Sequence, residues 1–120
     1  MKAEPTLICI PDISGFTQFM REANFELTSQ IIPALLNEII YSNTIDLKVS
    51  EIEGDAVLFF RSGELPNLND LIDQCIRFYL DFYERMDLLY KKHKKTEDAA
   101  SIPEILGLKI ILHYGEEIAM

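Results

Sequence analysis

Ile10-Pro11-Asp12-Ile13-Ser14-Gly15-Phe16-Thr17 is the stretch on which the fold turns. Thr6 to Ile13 is a short, mostly apolar run bounded by Pro5 and Gly15, with the length and near-continuous apolar pattern of a central strand. From Ser14 onward the spacing changes. Phe16, Phe19, Met20 and Ala23 recur at helical intervals, so a strand gives way to a helix immediately after Asp12. Asp12 therefore falls at the C-terminal end of a strand and beside the start of a helix.

Working outward, Thr28 or Ser29 is placed to cap a second helix carrying Ile32, Leu35, Leu36, Ile39 and Ile40, with Pro33 either confining regular hydrogen bonding to the residues after it or bending the first turn. Ile45 to Ile52 alternates imperfectly, Glu53-Gly54-Asp55 is a turn signal, and Ala56 to Phe60 is an apolar strand. Together these predict a β-hairpin with Asp55 at or near its tip. After a loop at Ser62 to Asn67, the residues Leu68, Leu71, Ile72, Cys75, Tyr79, Phe82, Met86 and Leu89 form one stripe over a long helix. Its Leu71, Cys75, Tyr79, Phe82 and Met86 positions are expected to pack on the sheet. The run Lys91-Lys92-His93-Lys94-Lys95 places cations at the negative end of the helix macrodipole, which marks a solvated terminus. Thr96 to Pro103 reads as a loop and Leu106 to Leu112 as a last strand.

The order β-α-α-β-β-α-β, without repeat or linker, predicts a single α+β domain over residues 1–120, a ferredoxin-like sandwich with its helices on one face. The sequence stops shortly after a strand, so the domain is expected to be the N-terminal portion of a longer one.

Composition narrows the function. Twenty acidic against 11 basic residues give a formal charge of −9, which repels nucleic acid and anionic membrane alike. A nucleotide ligand would need local compensation, most simply by Mg²⁺ on carboxylates. Cys9 and Cys75 lie apart in apolar runs, form no metal-binding spacing, and read as buried thiols. The apolar run Leu7 to Ile10 is too short for a signal peptide or a membrane span, so a cytoplasmic location is expected. His93 is expected in solvent and His113 as a structural hydrogen-bonding group. No P-loop, GxGxxG, HExxH or GxSxG pattern is present.

Three stretches carry a family resemblance. Ile10 to Thr17 resembles the Asp-Ile-x-Gly-Phe-Thr signature of class III nucleotidyl cyclases. Glu51-Ile52-Glu53-Gly54-Asp55-Ala56-Val57 is similar to that family's hairpin with its Gly-Asp-Ala, and Leu108 to Glu116 is similar to its later strand ending in His-x-Gly-Glu. The matches fall in the family's order, and they also fit a bacterial branch of cyclase-like proteins of unknown function. The resemblance implies that Asp12 and Asp55, with the backbone carbonyl of Ile13, hold Mg²⁺ or Mn²⁺. It implies that backbone N–H groups of Gly15, Phe16 and Thr17 bind phosphate oxygens of a nucleoside triphosphate. Glu51 falls where the family selects its purine, and a carboxylate there suits the N1–H and 2-amino group of guanine. A homodimer is also implied, because the family builds its site across a subunit interface. The family's transition-state Asn and Arg lie beyond the third motif, so the 120 residues alone are expected to lack cyclase activity.

Each motif has a structural alternative. An Asp before Ser-Gly commonly caps a helix, and a Gly-Asp commonly makes a hairpin turn. Glu51 is equally a solvent-facing strand residue of an acidic protein. Glu53 departs from the family's apolar residue, as either an additional carboxylate near the metal or an exposed hairpin side chain. The functional alternatives are a non-catalytic cyclase-homology module for dimerisation or regulation, and an interaction domain that binds no nucleotide.

Overall fold

The computed structural model describes residues 4–96 and 98–115. Glu116, the last residue of the third motif, lies outside them. The elements are β1 (Thr6–Ser14), α1 (Phe16–Glu22), α2 (Phe25–Tyr41), β2 (Lys48–Ile52), β3 (Val57–Ser62), α3 (Leu68–Lys92), α4 (Ser101–Ile105) and β4 (Gly107–Gly115). The strands form one antiparallel sheet in the order β2-β3-β1-β4, so β1 is flanked by β3 and β4. This is the expected ferredoxin-like α+β arrangement.

Alternation along β1 sends Leu7, Cys9 and Ile13 to the helix-covered face, where they are buried with Val57 and Phe59 of β3 and Leu108 of β4. α2 contributes Leu27, Ile31, Leu35 and Ile39 to the same core, and α3 contributes Phe78, Phe82, Met86 and Leu89. The rings of Phe59 and Phe78 stack with centroids 5.6 Å apart, fixing α3 over the middle of the sheet. Burial pushes the Cys9 thiol up to about 12, so it stays protonated. Cys75 is half-buried, short of the full burial expected.

Pro11 sits inside a central strand. The β1–β3 pairing runs from Thr6↔Ser62 to Cys9↔Phe59, lapses at Ile10 and Pro11, and resumes at Asp12↔Ala56 in the same register. A residue at position 11 would donate its N–H across this gap, and proline has none to give.

Five expectations are corrected. α2 begins at Phe25, a turn before Thr28: Asn24 is the cap, its side chain accepting from the Leu27 N–H at 2.8 Å. The Thr28 and Ser29 hydroxyls instead donate back to the Phe25 and Glu26 carbonyls, and Pro33 lies within the helix. The buried stripe of α3 runs through Leu71, Gln74, Phe78, Phe82, Met86 and Leu89, while Tyr79 is 37% exposed. A polar residue in the stripe and a second apolar flank, Ile72, Ile76 and Leu80, obscured its register. The segment read as a loop contains α4, and β4 extends to Gly115 because pairing with β1 continues to Thr6. Lys91, Lys92, Lys94 and Lys95 are exposed as expected, but His93 is half-buried.

Gln74 is buried because every polar atom of its amide is used. Its Oε1 accepts from the Thr44 N–H at 2.6 Å and from the Thr44 hydroxyl at 2.9 Å, and its Nε2 donates to the Ser42 carbonyl at 2.7 Å. This fastens the connection between α2 and β2 to α3. Gln74→Leu conserves volume but strands a backbone donor and acceptor, so chemical denaturation should show a loss of about 1–3 kcal/mol.

Candidate functional site

The end of β1 and the β2–β3 turn meet at one edge of the sheet. Asp12 pairs with Ala56, and the Ile13 N–H donates to the Asp55 carbonyl at 2.7 Å. Asp12, near the end of β1, and Asp55, in the turn just before β3, therefore lie at the same end of neighbouring strands. In an extended strand a residue's N–H and C=O point the same way, so the Ile13 carbonyl is also directed toward the hairpin. The hairpin is closed by the Glu53 N–H donating to the Ala56 carbonyl at 2.8 Å.

Gly15 comes next at φ 78, the left-handed region, as the residue before α1. A β-carbon there would collide with the Ile105 carbonyl oxygen at the end of α4. The next residue, Phe16, reaches the turn: its ring lies 3.5 Å from where a Gly54 β-carbon would stand. Two glycines thus let backbone approach backbone and ring approach turn. On the far side the Tyr83 hydroxyl of α3 accepts from the Leu108 N–H at 3.1 Å, beside Gly107 and Ser14. α1 has no side-chain cap and no acidic residue in its first turn, so the backbone N–H groups of Phe16 and Thr17 meet no competing side-chain acceptor there.

Electrostatically the edge is acidic. Glu51 is exposed on β2 opposite Leu58. Glu53 is exposed beside it, and its carboxyl is raised above the usual range by hydrogen bonding with Glu51, then by the Glu51 charge, burial and the Asp55 charge. The Asp12 side chain is 25% exposed; one oxygen faces the Lys109 ammonium at 3.6 Å and the other, Oδ1, is buried without a hydrogen-bond partner among the described residues. Among the described residues no three Asp, Glu, His or Cys side chains converge as a ready metal cage. Mg²⁺ commonly takes only one or two carboxylates and completes its shell with water and phosphate, so Asp12 and Asp55 at an open rim, one with an unpartnered oxygen, fit that donor set.

Sequence reading missed Lys109 and the buttress made by α4 and Tyr83. A lone cation in the apolar run Leu108 to Leu112 was visible, but which residue it faces depends on strand register. His113, expected as a structural hydrogen-bonding group, is exposed on β4.

The backbone is similar to the crystal structure of the adenylyl cyclase CyaB from P. aeruginosa, with a TM-score of 0.57 and 16% sequence identity over 93% of this chain. The chain spans 56% of the length of that cyclase chain. This likeness establishes a cyclase-like fold. A family model described as "Protein of unknown function (DUF2652)" matches residues 32–120, and the chain belongs to that family. The matched region includes Glu51 and Asp55 and begins after the Asp12 motif. No curated protein matches the chain. No helix among the described residues is long and apolar enough to cross a membrane.

This geometry sets two expected outcomes. Gly15→Ala combines positive φ with a backbone collision, so it should cost about 2 kcal/mol or more in thermal or denaturant unfolding. Because the folded-state Glu53 carboxyl is raised, folding takes up protons between the ordinary carboxylate range and the raised value, and stability falls as pH rises through that window. Glu53→Gln should therefore raise the melting temperature at pH 7, where Glu51 and Glu53 repel, and leave it unchanged below the ordinary carboxylate range.

Proposed function

We propose that this chain is a cyclase-like domain that binds a nucleoside triphosphate with a divalent metal, Mg²⁺ or Mn²⁺, and that contributes to 3′,5′-cyclic nucleotide formation in a complete protein. The observation that carries the reading is the Ile13 to Asp55 backbone hydrogen bond, which brings the ends of two neighbouring strands and their aspartates to one rim. Asp12, Asp55 and the Ile13 carbonyl would hold the metal, with Asp12 Oδ1, which has no hydrogen-bond partner among the described residues, as one donor atom. When bound, the metal would offset phosphate charge and acidify the attacking 3′-hydroxyl. The Gly15, Phe16 and Thr17 N–H groups would orient phosphate oxygens. Glu51 would face the purine edge and favour guanine, which donates where adenine accepts.

A homodimer is part of the proposal. Strand register directs Ile8 and Ile10 of β1, Leu58 and Phe60 of β3 and Ile111 of β4 to the sheet face opposite the helices, and Ile111 is 44% exposed. An apolar strip on an uncovered sheet face suits self-association. It equally supports the second reading, a non-catalytic cyclase-homology module that dimerises.

Fluorescent ATP and GTP analogues titrated with Mg²⁺, Mn²⁺ or chelator separate these readings. Metal-dependent binding should weaken about tenfold or more on Asp12→Asn or Asp55→Asn, with circular dichroism unchanged. Glu51→Lys should shift preference from GTP toward ATP. Binding that ignores both metal and the aspartates would overturn the site. Metal-dependent binding without cyclic product from a complete protein would favour the regulatory module.

A further inference from the structure

We propose that Lys109 is the resident counter-ion of Asp12 and sets how tightly this edge takes a divalent cation. Asp12 and Lys109 are direct cross-strand partners in the β1–β4 register, so their side chains leave the same face of the sheet side by side. The Lys109 Nζ lies 3.6 Å from Asp12 Oδ2, while Oδ1 is buried and has no hydrogen-bond partner among the described residues. The two oxygens of the carboxylate thus differ: Oδ2 faces the ammonium, and Oδ1 has no hydrogen-bond donor among the described residues.

The pair is built to open. A charge-assisted hydrogen bond closes to about 2.7–2.9 Å. At 3.6 Å the ammonium is attracted to the carboxylate without being locked to it. Lysine is a point charge on a flexible stem, and the Lys109 side chain is 61% exposed, so it can swing into water when another cation arrives. Among the described residues Lys109 is the sole cation ion-paired with any of Asp12, Glu51, Glu53 and Asp55. In the metal-free state it offsets part of their mutual repulsion. Against a divalent cation on Asp12 it becomes a like charge a few ångströms away, and binding must displace or tolerate it.

This inference rests on the reading that Asp12 and Asp55 hold the metal, and the test separates the two. Free Mn²⁺ is followed by electron paramagnetic resonance while the whole 120-residue chain is titrated. Lys109→Met should bind Mn²⁺ roughly tenfold more tightly than the parent chain, the size expected for one positive charge facing a divalent cation about 5 Å away at the dielectric of water, which suits an ammonium as exposed as this one. Lys109→Gln, a second neutral variant, should do the same, Lys109→Arg should stay near the parent, and Lys92→Met, far along α3, should change nothing. Asp12→Asn should weaken binding in either background and erase the gain from Lys109→Met, giving a coupled cycle. Unchanged or weaker Mn²⁺ binding by both neutral variants, with Asp12→Asn still harmful, would overturn the role of Lys109 and leave the site standing. Mn²⁺ binding indifferent to Asp12→Asn, or absent from every variant, would overturn the site itself and this inference with it.

Discussion

The backbone hydrogen bond from Ile13 to Asp55 is the constraint on which the candidate functional edge depends. Proline at position 11 removes the rung before it, so β1 is joined to β3 firmly from Thr6 to Cys9, loosens for two residues, and is recaptured only at the hairpin. Beyond that point the chain is tightly specified. Gly15 turns the chain with positive φ against the Ile105 carbonyl, Phe16 lays its ring toward Gly54, and Tyr83 secures the start of β4. The aspartates themselves make little of this structure. Their positions are imposed by backbone and by neighbours, as a site needs if its acidic groups are to be free for a ligand.

The same division explains what could be read from the sequence. Strand-to-helix switching at Asp12 and the hairpin at Glu53-Gly54-Asp55 are local events, fixed by apolar spacing and turn residues, and the structure has both. The register of α3 was misjudged because Gln74 is buried by satisfying three hydrogen bonds, a reason invisible to a hydrophobic pattern. Helix α4 was missed because five residues with an internal proline carry almost no periodic signal, and Ile102 is buried only by tertiary contact. The Asp12 to Lys109 pairing joins residues 97 positions apart in sequence, and only the sheet register assigns it.

On the proposed reading, self-association and ligand binding would draw on one face. Strand alternation sends Asp12 and Lys109 to the side of the sheet that carries Ile8, Ile10, Phe60 and Ile111, the side without helices. Any surface that covers the apolar strip would also close over Asp12, Lys109 and Glu51, lowering the local dielectric and strengthening the charge interactions among them. A ligand and a partner bound there would therefore not be independent, since each would alter the solvation the other meets.

Charge then orders the events at the rim. The overall −9 acts weakly over distance, because salt screens beyond about 8 Å at physiological strength. What an approaching polyphosphate meets is local: Asp12, Glu51, Glu53 and Asp55 against Lys109. Four carboxylates against one ammonium repel an anion, and the amides at the start of α1 are too few to reverse that balance. On the proposed reading a cation would therefore have to arrive with the phosphates or before them. The raised Glu53 carboxyl reports the same imbalance from within, since this edge already favours taking up positive charge, as protons, when no other source is present.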